Sequence, residues 1–277
     1  MVWKIRDEIL QIKKPFIMGI LNVTPDSFYD GGRYFNLDKA IERAKEMEKE
    51  GADIIDVGGE SSRPGSESVS EEEEIRRVLP VIKTLAEELN IPVSCDTYKS
   101  KVAEKAIEGG AKIINDISAF RFDEKLFDIV KNSGCGYVLM HMKGTPKDMQ
   151  KSPYYEDVIG EIHRFFEEKI KFIAENGMEI ERVVIDPGIG FGKRVEDNLM
   201  ILKNLDKFTD FNRPILIGTS RKSFIGKILD VDTEERMEGT ISSNVYSFIK
   251  GARIFRVHDV KETKRALMIA EAIEKVQ

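Results

Sequence analysis

The sequence predicts a single (β/α)8 barrel of the TIM type, with a short capping segment at the N-terminus. Eight apolar segments of strand length alternate with amphipathic helical segments along the 277 residues. That alternation is typical of a parallel sheet, and eight strands are the number that closes a barrel. An open doubly wound sheet is the less favoured alternative, because no Gly-x-Gly-x-x-Gly follows the first strand. We therefore expect a cap at residues 1–15 and one barrel domain at residues 16–277.

Each predicted strand is a short apolar run that ends in polar residues. The clearest is Val183-Val184-Ile185-Asp186, which is followed by Pro187. An unbroken β-branched run fits a strand covered on both faces, and a proline ends it because proline cannot donate a ladder hydrogen bond. In chain order, the predicted strands cover residues 16–21, 53–57, 92–96, 112–115, 137–140, 183–186, 215–217 and 251–257.

The predicted helices have apolar residues three and four positions apart and recognisable ends. The first stops at Gly51, and Ser70 is a suitable N-cap for the second. Residues 71–74 are all glutamates in a first turn, where acids complement the helix dipole, and we expect all four to face water. In chain order, the predicted helices cover residues 37–51, 70 onward, 100–109, 123–132, 159–176, 199–205, 223 onward, 234–250 and 261–275.

Composition excludes several classes of protein. The chain is 41% hydrophobic and 33% charged, which fits one soluble globular domain with a large core. Its net charge of -6 provides no positive field for a nucleic-acid partner. No apolar run approaches the roughly 18 residues of a membrane span, and no signal peptide leads the chain. We expect a cytoplasmic protein with no membrane partner, and Cys95 and Cys135 as free thiols.

Polar residues at the strand ends predict one functional site. In a (β/α)8 barrel the carboxyl ends of all strands open on the same mouth, so residues far apart in sequence converge there. Arg256 and His258 lie two residues apart on one strand and therefore point the same way. The residues expected to converge are Asn22, Asp56, Asp96, Asn115, Asp186, Lys222, Arg256 and His258.

The chemistry of these residues predicts two kinds of ligand. Asp96, Asn115 and Asp186 in apolar surroundings suit a flat heterocycle rich in N–H donors, such as a pterin. Arg63, Arg256 and His258 suit a phosphate or a pyrophosphate. Oxygen donors such as Asn22 and Asp26 could help a pyrophosphate to hold magnesium, which keeps several waters and takes few protein ligands.

Some of these residues also have a purely structural interpretation. A strand-end aspartate often only caps a helix or binds a backbone amide, and this alternative stays open for Asp56 and Asp116. We expect Met140 and Asn244 to serve in packing or on a helix surface, and His163 to lie on a helix surface.

Six segments of the chain, in order, closely resemble the signature segments of the dihydropteroate synthase family. One difference is Ser62, where the family often has threonine; the hydroxyl is kept and a methyl is lost, so we expect altered packing in that loop and the same reaction. The segments are Met-Gly-Ile-Leu-Asn-Val-Thr-Pro-Asp-Ser-Phe at 18–28, Gly-Glu-Ser-Ser-Arg-Pro-Gly at 59–65, Asn-Asp-Ile at 115–117, Asp-Pro-Gly-Ile-Gly-Phe-Gly-Lys at 186–193, Gly-Thr-Ser-Arg-Lys-Ser-Phe-Ile-Gly at 218–226 and Arg-Val-His-Asp-Val at 256–260.

The resemblance implies a folate-biosynthesis transferase that is a target of sulfonamides. The family joins 6-hydroxymethyl-7,8-dihydropterin diphosphate to p-aminobenzoate and releases pyrophosphate and 7,8-dihydropteroate. A pterin methylene cation is the implied intermediate, and the implied assembly is a homodimer through the outer helices. The loops at residues 22–37 and 58–70 are expected to close as lids over the site.

The family's roles carry over to this chain by motif. They assign the pterin to Asp96, Asn115, Asp186, Lys222 and Arg256. They assign the pyrophosphate to Asn22, Arg63, Arg256 and His258, with Asn22 also on Mg²⁺. They assign p-aminobenzoate to Phe28, Ser62, Pro64, Phe191, Lys222 and Ser223. The implied catalytic residues are Arg63, Asp96, Asp186 and Lys222.

Two other functions fit the sequence less well. A pterin-binding homologue without catalysis would not need Phe28, Ser62 or Arg63, so their presence argues against it. A corrinoid-linked methyltetrahydrofolate methyltransferase shares a pterin-holding barrel. It would not be expected to carry both the segment at 60–65 and the one at 220–222.

Overall fold

Within the described residues, the strands form one eight-stranded sheet and two small two-stranded sheets. The computed structural model describes residues 1–24, 29–30, 34–35, 37–61 and 65–276, with the backbone alone at 29–30 and 34–35. The strands are β1 (Val2–Ile5), β2 (Glu8–Gln11), β3 (Phe16–Asn22), β4 (Tyr29–Asp30), β5 (Tyr34–Phe35), β6 (Ile54–Gly58), β7 (Val93–Asp96), β8 (Ile113–Asp116), β9 (Gly136–Met140), β10 (Val183–Asp186), β11 (Leu216–Ile217) and β12 (Ile254–Val257).

Helices follow the barrel strands along the chain. Three 3₁₀ turns, at Ile180–Arg182, Leu205–Phe211 and Thr233–Glu235, lie between longer elements. The α-helices of the described residues are α1 (Leu37–Glu50), α2 (Glu71–Glu88), α3 (Ser100–Glu108), α4 (Lys125–Ser133), α5 (Val158–Glu175), α6 (Val195–Lys203), α7 (Ser223–Leu229), α8 (Met237–Ile249) and α9 (Val260–Glu274).

Eight parallel strands close into a barrel. Their order is β10, β9, β8, β7, β6, β3, β12, β11, and every neighbouring pair is parallel. A parallel bridge between Ile185 and Ile215 joins the two ends of this order, and the Ile185 amide donates to the Pro214 carbonyl at 3.1 Å. The (β/α)8 barrel predicted from the sequence is therefore confirmed.

Side chains alternate between the barrel interior and the surrounding helices. The inward set, which includes Met18, Ile54, Ile113, Val138 and Val184, forms one buried cluster. Residues one position away, such as Ile17 and Ile55, belong instead to the cluster beneath the helices. Burial on both faces explains why the strands are continuous apolar runs.

The N-terminal hairpin of β1 and β2 closes one end of the barrel. Trp3 and Ile5 are fully buried and belong to the same cluster as the inward barrel residues. The Trp3 indole donates to the Arg182 carbonyl at 2.9 Å, immediately before β10 begins. The hairpin lies at the amino ends of the strands, which leaves the carboxyl ends for the functional site. The boundary predicted at residue 15 stays a prediction.

One prediction about the helices is wrong. The first turn of α2 was expected to place all its glutamates in water, but Glu74 is buried and pairs with Lys99 at 2.6 Å. The turn packs against the segment that follows β7, so this position faces protein instead of solvent. Glu73 pairs with Arg76 and Arg77, which lowers its pKa to about 2.

Two predictions from composition can be compared with the fold. Cys95 and Cys135 are buried free thiols, as expected. Among the described residues, no helix has the length and apolar character that crossing a membrane requires.

The buried indole of Trp3 should contribute strongly to stability. We expect Trp3→Ala to lower the free energy of unfolding by about 3 to 5 kcal/mol, because a large cavity would open at the closed end of the barrel. Urea denaturation followed by circular dichroism measures this. Ile9→Ala on β2 is the matched control, because Ile9 is 59% exposed and should change stability by less than about 0.5 kcal/mol. Equal effects of the two changes would contradict the role of the hairpin as a plug.

Candidate active site

An arginine bound to two carboxylates lies at the carboxyl end of the barrel. Arg256 Nε donates to Asp56 Oδ2 at 2.6 Å, and Arg256 Nη2 donates to Asp96 Oδ2 at 2.6 Å. Asn115 Nδ2 also donates to Asp56 Oδ2, at 2.9 Å. These four side chains come from β12, β6, β7 and β8, so the structure brings together residues up to 200 positions apart.

Asp56 does not merely cap a helix or bind a backbone amide. Its carboxylate is buried and binds Arg256 and Asn115, and its Oδ1 has no hydrogen-bond partner among the described residues. The sequence indicates the direction of this side chain, because Asp56 lies two positions after Ile54 and so shares its inward face, but it does not indicate the partners. The structural alternative does hold for Asp116, which accepts from the amides of Ser118 and Phe120.

The two carboxylates assigned to the pterin bind protons more readily than ordinary aspartates. Burial raises the pKa of Asp96 to about 7; the Arg256 charge opposes the rise and the Asp56 charge adds to it. Burial also raises the pKa of Asp186 to about 6, against the Gly188 amide and the charges of Lys222, Lys193 and Arg256. Both buried carboxyls therefore favour a ligand that donates hydrogen bonds to them.

Asp186 opens a glycine-rich loop that carries Phe191. The Gly188 amide donates to Asp186 Oδ1 at 2.7 Å, which orients the carboxylate at the end of β10. The Phe191 ring is nearly buried, and Lys222 Nζ lies 4.2 Å from its centroid. This cation over an aromatic face places Lys222 beside Asp186, whose pKa its charge lowers. Ser223 follows directly as the first residue of α7.

His258 and Asn22 lie at other points of the rim. Ser220 Oγ and His258 Nδ1 are 2.9 Å apart, which connects the end of β12 to the segment that contains Lys222. Asn22 is the last residue of β3, and both its Oδ1 and Asp96 Oδ2 lie beside Gly58, 3.7 and 3.5 Å from where a Cβ of that residue would be. Asn22 therefore adds a neutral oxygen donor near a carboxylate.

No preformed cluster of strong metal ligands accompanies these residues. Within the part of the chain that the structure describes, no three His, Cys, Asp or Glu side chains are grouped so that they could hold a metal ion. The rim instead offers separate oxygen donors, Asn22 and Asp96. This set suits a hard cation that arrives with a phosphate ligand.

Comparison with known proteins agrees with this geometry. Residues 18–258 match the family model described as pterin binding enzyme. Dihydropteroate synthases from Clostridium beijerinckii and Escherichia coli K12 are 47% and 45% identical to this chain; the matches cover 94% and 95% of this chain and 95% and 93% of those proteins. The chain belongs to the dihydropteroate synthase family.

Solved structures of the family superimpose closely on this one. The Yersinia pestis dihydropteroate synthase with a sulfonamide drug complex has a TM-score of 0.94 at 42% identity, with 100% of both chains covered. The Xanthomonas albilineans dihydropteroate synthase with 4-aminobenzoic acid has a TM-score of 0.93 at 39% identity, again with both chains fully covered. The family resemblance found in the sequence motifs is therefore confirmed.

The structure does not describe several of the residues assigned from the family motifs. Phe28, Ser62, Arg63 and Pro64 lie outside the described residues, as does Asp26. The lid prediction concerns the same loops and stays a prediction.

Sequence reasoning missed the buried charges that support the site. Lys99 Nζ binds Glu60 and Glu74, each at 2.6 Å, and the Val69 carbonyl at 2.7 Å, so it ties the segment after β7 to the start of α2. Lys193 is buried at the end of the loop that follows Asp186. Both lysines lie in polar segments with other charged residues nearby, a pattern that normally indicates solvent exposure.

Replacing Asp186 with a neutral amide should stabilise the free protein while it damages the site. Its folded pKa of about 6 lies above the unfolded value of about 3.9, so ionisation costs stability as pH rises through 6. We expect Asp186→Asn to add about 2 to 3 kcal/mol to the free energy of unfolding at pH 8, and nothing below about pH 4.

Urea denaturation across this pH range measures the difference. The exposed Asp210→Asn is the matched control and should leave stability unchanged at every pH. A loss of stability in Asp186→Asn at pH 8 would show that its carboxylate is favourably bound in the folded state.

Proposed function

We propose that this chain joins 6-hydroxymethyl-7,8-dihydropterin diphosphate to p-aminobenzoate, with release of pyrophosphate and 7,8-dihydropteroate. The observation that carries this proposal is the meeting of Asp96, Asn115 and Arg256 at the carboxyl end of the barrel in a member of this family. Neighbouring structures add support, because Xanthomonas albilineans dihydropteroate synthase was solved with 4-aminobenzoic acid and with 7,8-dihydropteroate.

The pterin site is proposed to be the group formed by Asp96, Asn115, Asp186, Lys222 and Arg256. The two carboxylates would accept hydrogen bonds from ring N–H groups, and the Asn115 amide can both donate and accept. Arg256 would stack along the ring while Asp56 holds its Nε. Ile117 and Met140, buried beside Phe191, offer apolar surface for the ring.

The reaction is proposed to begin with departure of pyrophosphate. The bond between the pterin methylene carbon and the pyrophosphate oxygen breaks, and the electron pair leaves with the oxygen. The arylamine nitrogen of p-aminobenzoate then forms a bond to the methylene carbon and loses a proton. No covalent enzyme intermediate is needed, and the arylamine is nucleophilic without a strong base.

Electrostatic preorganisation would then carry most of the catalysis. Asp96 and Asp186 would stabilise the positive pterin once the lid loops exclude water, while Arg63, Arg256 and His258 would stabilise the departing anion. Lys222 lies over Phe191 and is proposed to orient the substrates instead of transferring a proton. The assigned p-aminobenzoate pocket combines Phe191, Lys222 and Ser223 with Phe28, Ser62 and Pro64, which lie outside the described residues.

Magnesium is the proposed cofactor. The oxygen donors at the rim fit it, because magnesium takes oxygen ligands, keeps several waters and needs only one or two protein ligands besides phosphate. Asn22 would contact the ion, and bound magnesium would neutralise charge on the pyrophosphate. The cytoplasmic location predicted from the sequence stays a prediction.

Pyrophosphate release tests the proposed reaction. We expect release from 6-hydroxymethyl-7,8-dihydropterin diphosphate with magnesium to depend on p-aminobenzoate and to yield 7,8-dihydropteroate in equal amount. Asp186→Asn should lose at least about a hundredfold in kcat/KM, because it removes a charge that stabilises the cation. Asp210→Asn is the control and should retain full activity. Tight pterin binding without release would instead support a non-catalytic binding homologue.

A homodimer is proposed from an apolar surface on the outer helices. Helix α8 packs against α6, α7 and α9, so the four helices form one side of the barrel. Their exposed apolar residues include Met200, Ile228, Ile249 and Ile269, of which Ile269 is 66% exposed. Exposed apolar residues on adjacent helices are typical of a protein interface, and the family resemblance names a second copy as the partner.

Sedimentation equilibrium tests the dimer. We expect a dimer at micromolar concentration, and Ile249→Glu should weaken association by about tenfold or more because it buries a charge in the interface. Ile9→Glu changes an equally exposed isoleucine on the hairpin and should leave association unchanged. A monomer at tens of micromolar would contradict the proposal.

A further inference from the structure

Lys193 is a buried lysine at the end of the loop that follows β10. It is 3% exposed, and its ammonium lies 3.1 Å from His141 Nδ1, 3.0 Å from the Phe191 carbonyl and 3.3 Å from the His141 carbonyl. An ammonium has three N–H donors, and three acceptors surround this one. The side chain therefore joins the loop after β10 to the first residue after β9.

The loop after β10 and the segment after β9 are so close that the glycines of the loop leave no space for a side chain. Gly188 and Gly192 have φ angles of 70° and 63°, and a Cβ would come within 2.0 Å of the His141 carbonyl oxygen and 2.1 Å of the Lys143 carbonyl oxygen. The His141 amide also donates to the Asp186 carbonyl at 2.9 Å. Carbonyl groups are crowded at this junction; the Lys193 ammonium binds two of them, and the Arg121 guanidinium binds the Met142 carbonyl at 2.8 Å.

Lys193 connects to both substrate sites through this junction. The carbonyl that it binds belongs to Phe191, whose ring supports Lys222. Its positive charge lies close to Asp186 and lowers the pKa of that carboxyl. Neither effect requires Lys193 to touch a substrate.

We propose that Lys193 is a positioning residue for the reaction, one that fixes the Phe191 main chain and favours the carboxylate form of Asp186. This inference rests on the proposed function of the same site. Lys193 is absent from the set of residues assigned by the family motifs, and it acts on two members of that set.

The charged groups around Lys193 determine when its ammonium is present. Burial lowers the pKa of Lys193 to about 7, against the attraction of Asp186 and Asp197 and together with repulsion by Lys222 and Arg121. Below pH 7 the ammonium is therefore charged, and this range includes the titration of Asp186 at about 6. The positive charge of Lys193 is therefore present over the pH range in which Asp186 gains or loses its proton.

His141 is suited to accept the lysine hydrogen bond. Burial lowers the pKa of His141 well below its usual range, and the charges of Lys193, Arg121 and Lys143 lower it further. The imidazole therefore stays neutral, and Nδ1 can accept from the ammonium while Nε2 carries the proton. His141 is therefore still neutral at the pH where Asp186 titrates, and its hydrogen bond with Lys193 is kept.

Two variants separate the charge of Lys193 from its hydrogen bonds. Lys193→Met removes both, and Lys193→Gln keeps amide donors without a charge. Lys169→Met is the matched control, because Lys169 is a half-buried lysine on α5 that donates to the Ala119 carbonyl at 2.9 Å and is not among the charges that act on Asp186. Circular dichroism establishes whether each variant is folded.

The readout is the affinity for 6-hydroxymethylpterin between pH 5 and pH 8, measured by calorimetry. In the wild type, affinity should fall in two steps, near pH 7 as Asp96 becomes protonated and near pH 6 as Asp186 does, and the step near pH 6 gives the midpoint that is compared. In both Lys193 variants the midpoint should move to higher pH by about half to one unit, because a nearby positive charge is lost. Lys169→Met should keep the wild-type midpoint.

A second readout concerns p-aminobenzoate. Its KM should rise about tenfold in Lys193→Met and less in Lys193→Gln, which can still bind the Phe191 carbonyl. An unchanged pH midpoint in the folded variants would overturn the inference. Failure of both variants to fold would overturn it too, since Lys193 would then determine stability instead of position. A wild type that binds no pterin at any pH would show instead that the proposed function itself is wrong.

Discussion

The site depends on one guanidinium shared by two carboxylates. Arg256 on β12 binds Asp56 on β6 and Asp96 on β7, with β3 between β12 and β6 in the sheet, and Asn115 binds the same oxygen of Asp56 that Arg256 does. A charge inside an apolar barrel is tolerated only when it is paired and hydrogen-bonded. β12 and β6 both pair with β3, so the site forms only when the last strand of the chain has joined the first strand of the barrel. The hairpin that buries Trp3 seals the opposite end and leaves this mouth as the open one.

The buried carboxylates have too few hydrogen-bond donors in the free protein, and this makes the group a binding site for a ligand that supplies donors. Two carboxylates share one cation, and burial keeps the pKa values of Asp96 and Asp186 near 7 and 6. A pterin would add N–H donors where the protein lacks them, and a positive charge during the reaction would be better accommodated than in water. Active sites are expected to hold charged groups that lower the stability of the free protein, because the same groups bind the ligand. Lys193 contributes to the same balance, because its charge lowers the pKa of Asp186.

The sequence predicted the barrel and much of its mouth for a simple physical reason. Apolar runs with polar ends define strands, and a barrel collects the carboxyl ends of its strands at one face, so Arg256 and Asp96 could be placed together without knowing their contact. The role of Asp56 depends on a partner 200 residues away, and local pattern does not show this. Glu74 was wrongly expected in water because its burial depends on Lys99, which another part of the chain supplies.

A crystal structure with 6-hydroxymethylpterin bound tests the central claim most directly. The account predicts the ring at the carboxyl end of the barrel, with its N–H groups within hydrogen-bond distance of Asp96 and Asp186 and its edge at Asn115. Arg256 should keep its bond to Asp56, because that buried carboxylate has no other cation to pair with among the described contacts. A ring bound elsewhere, or one at this mouth without contact to either carboxylate, would contradict the account.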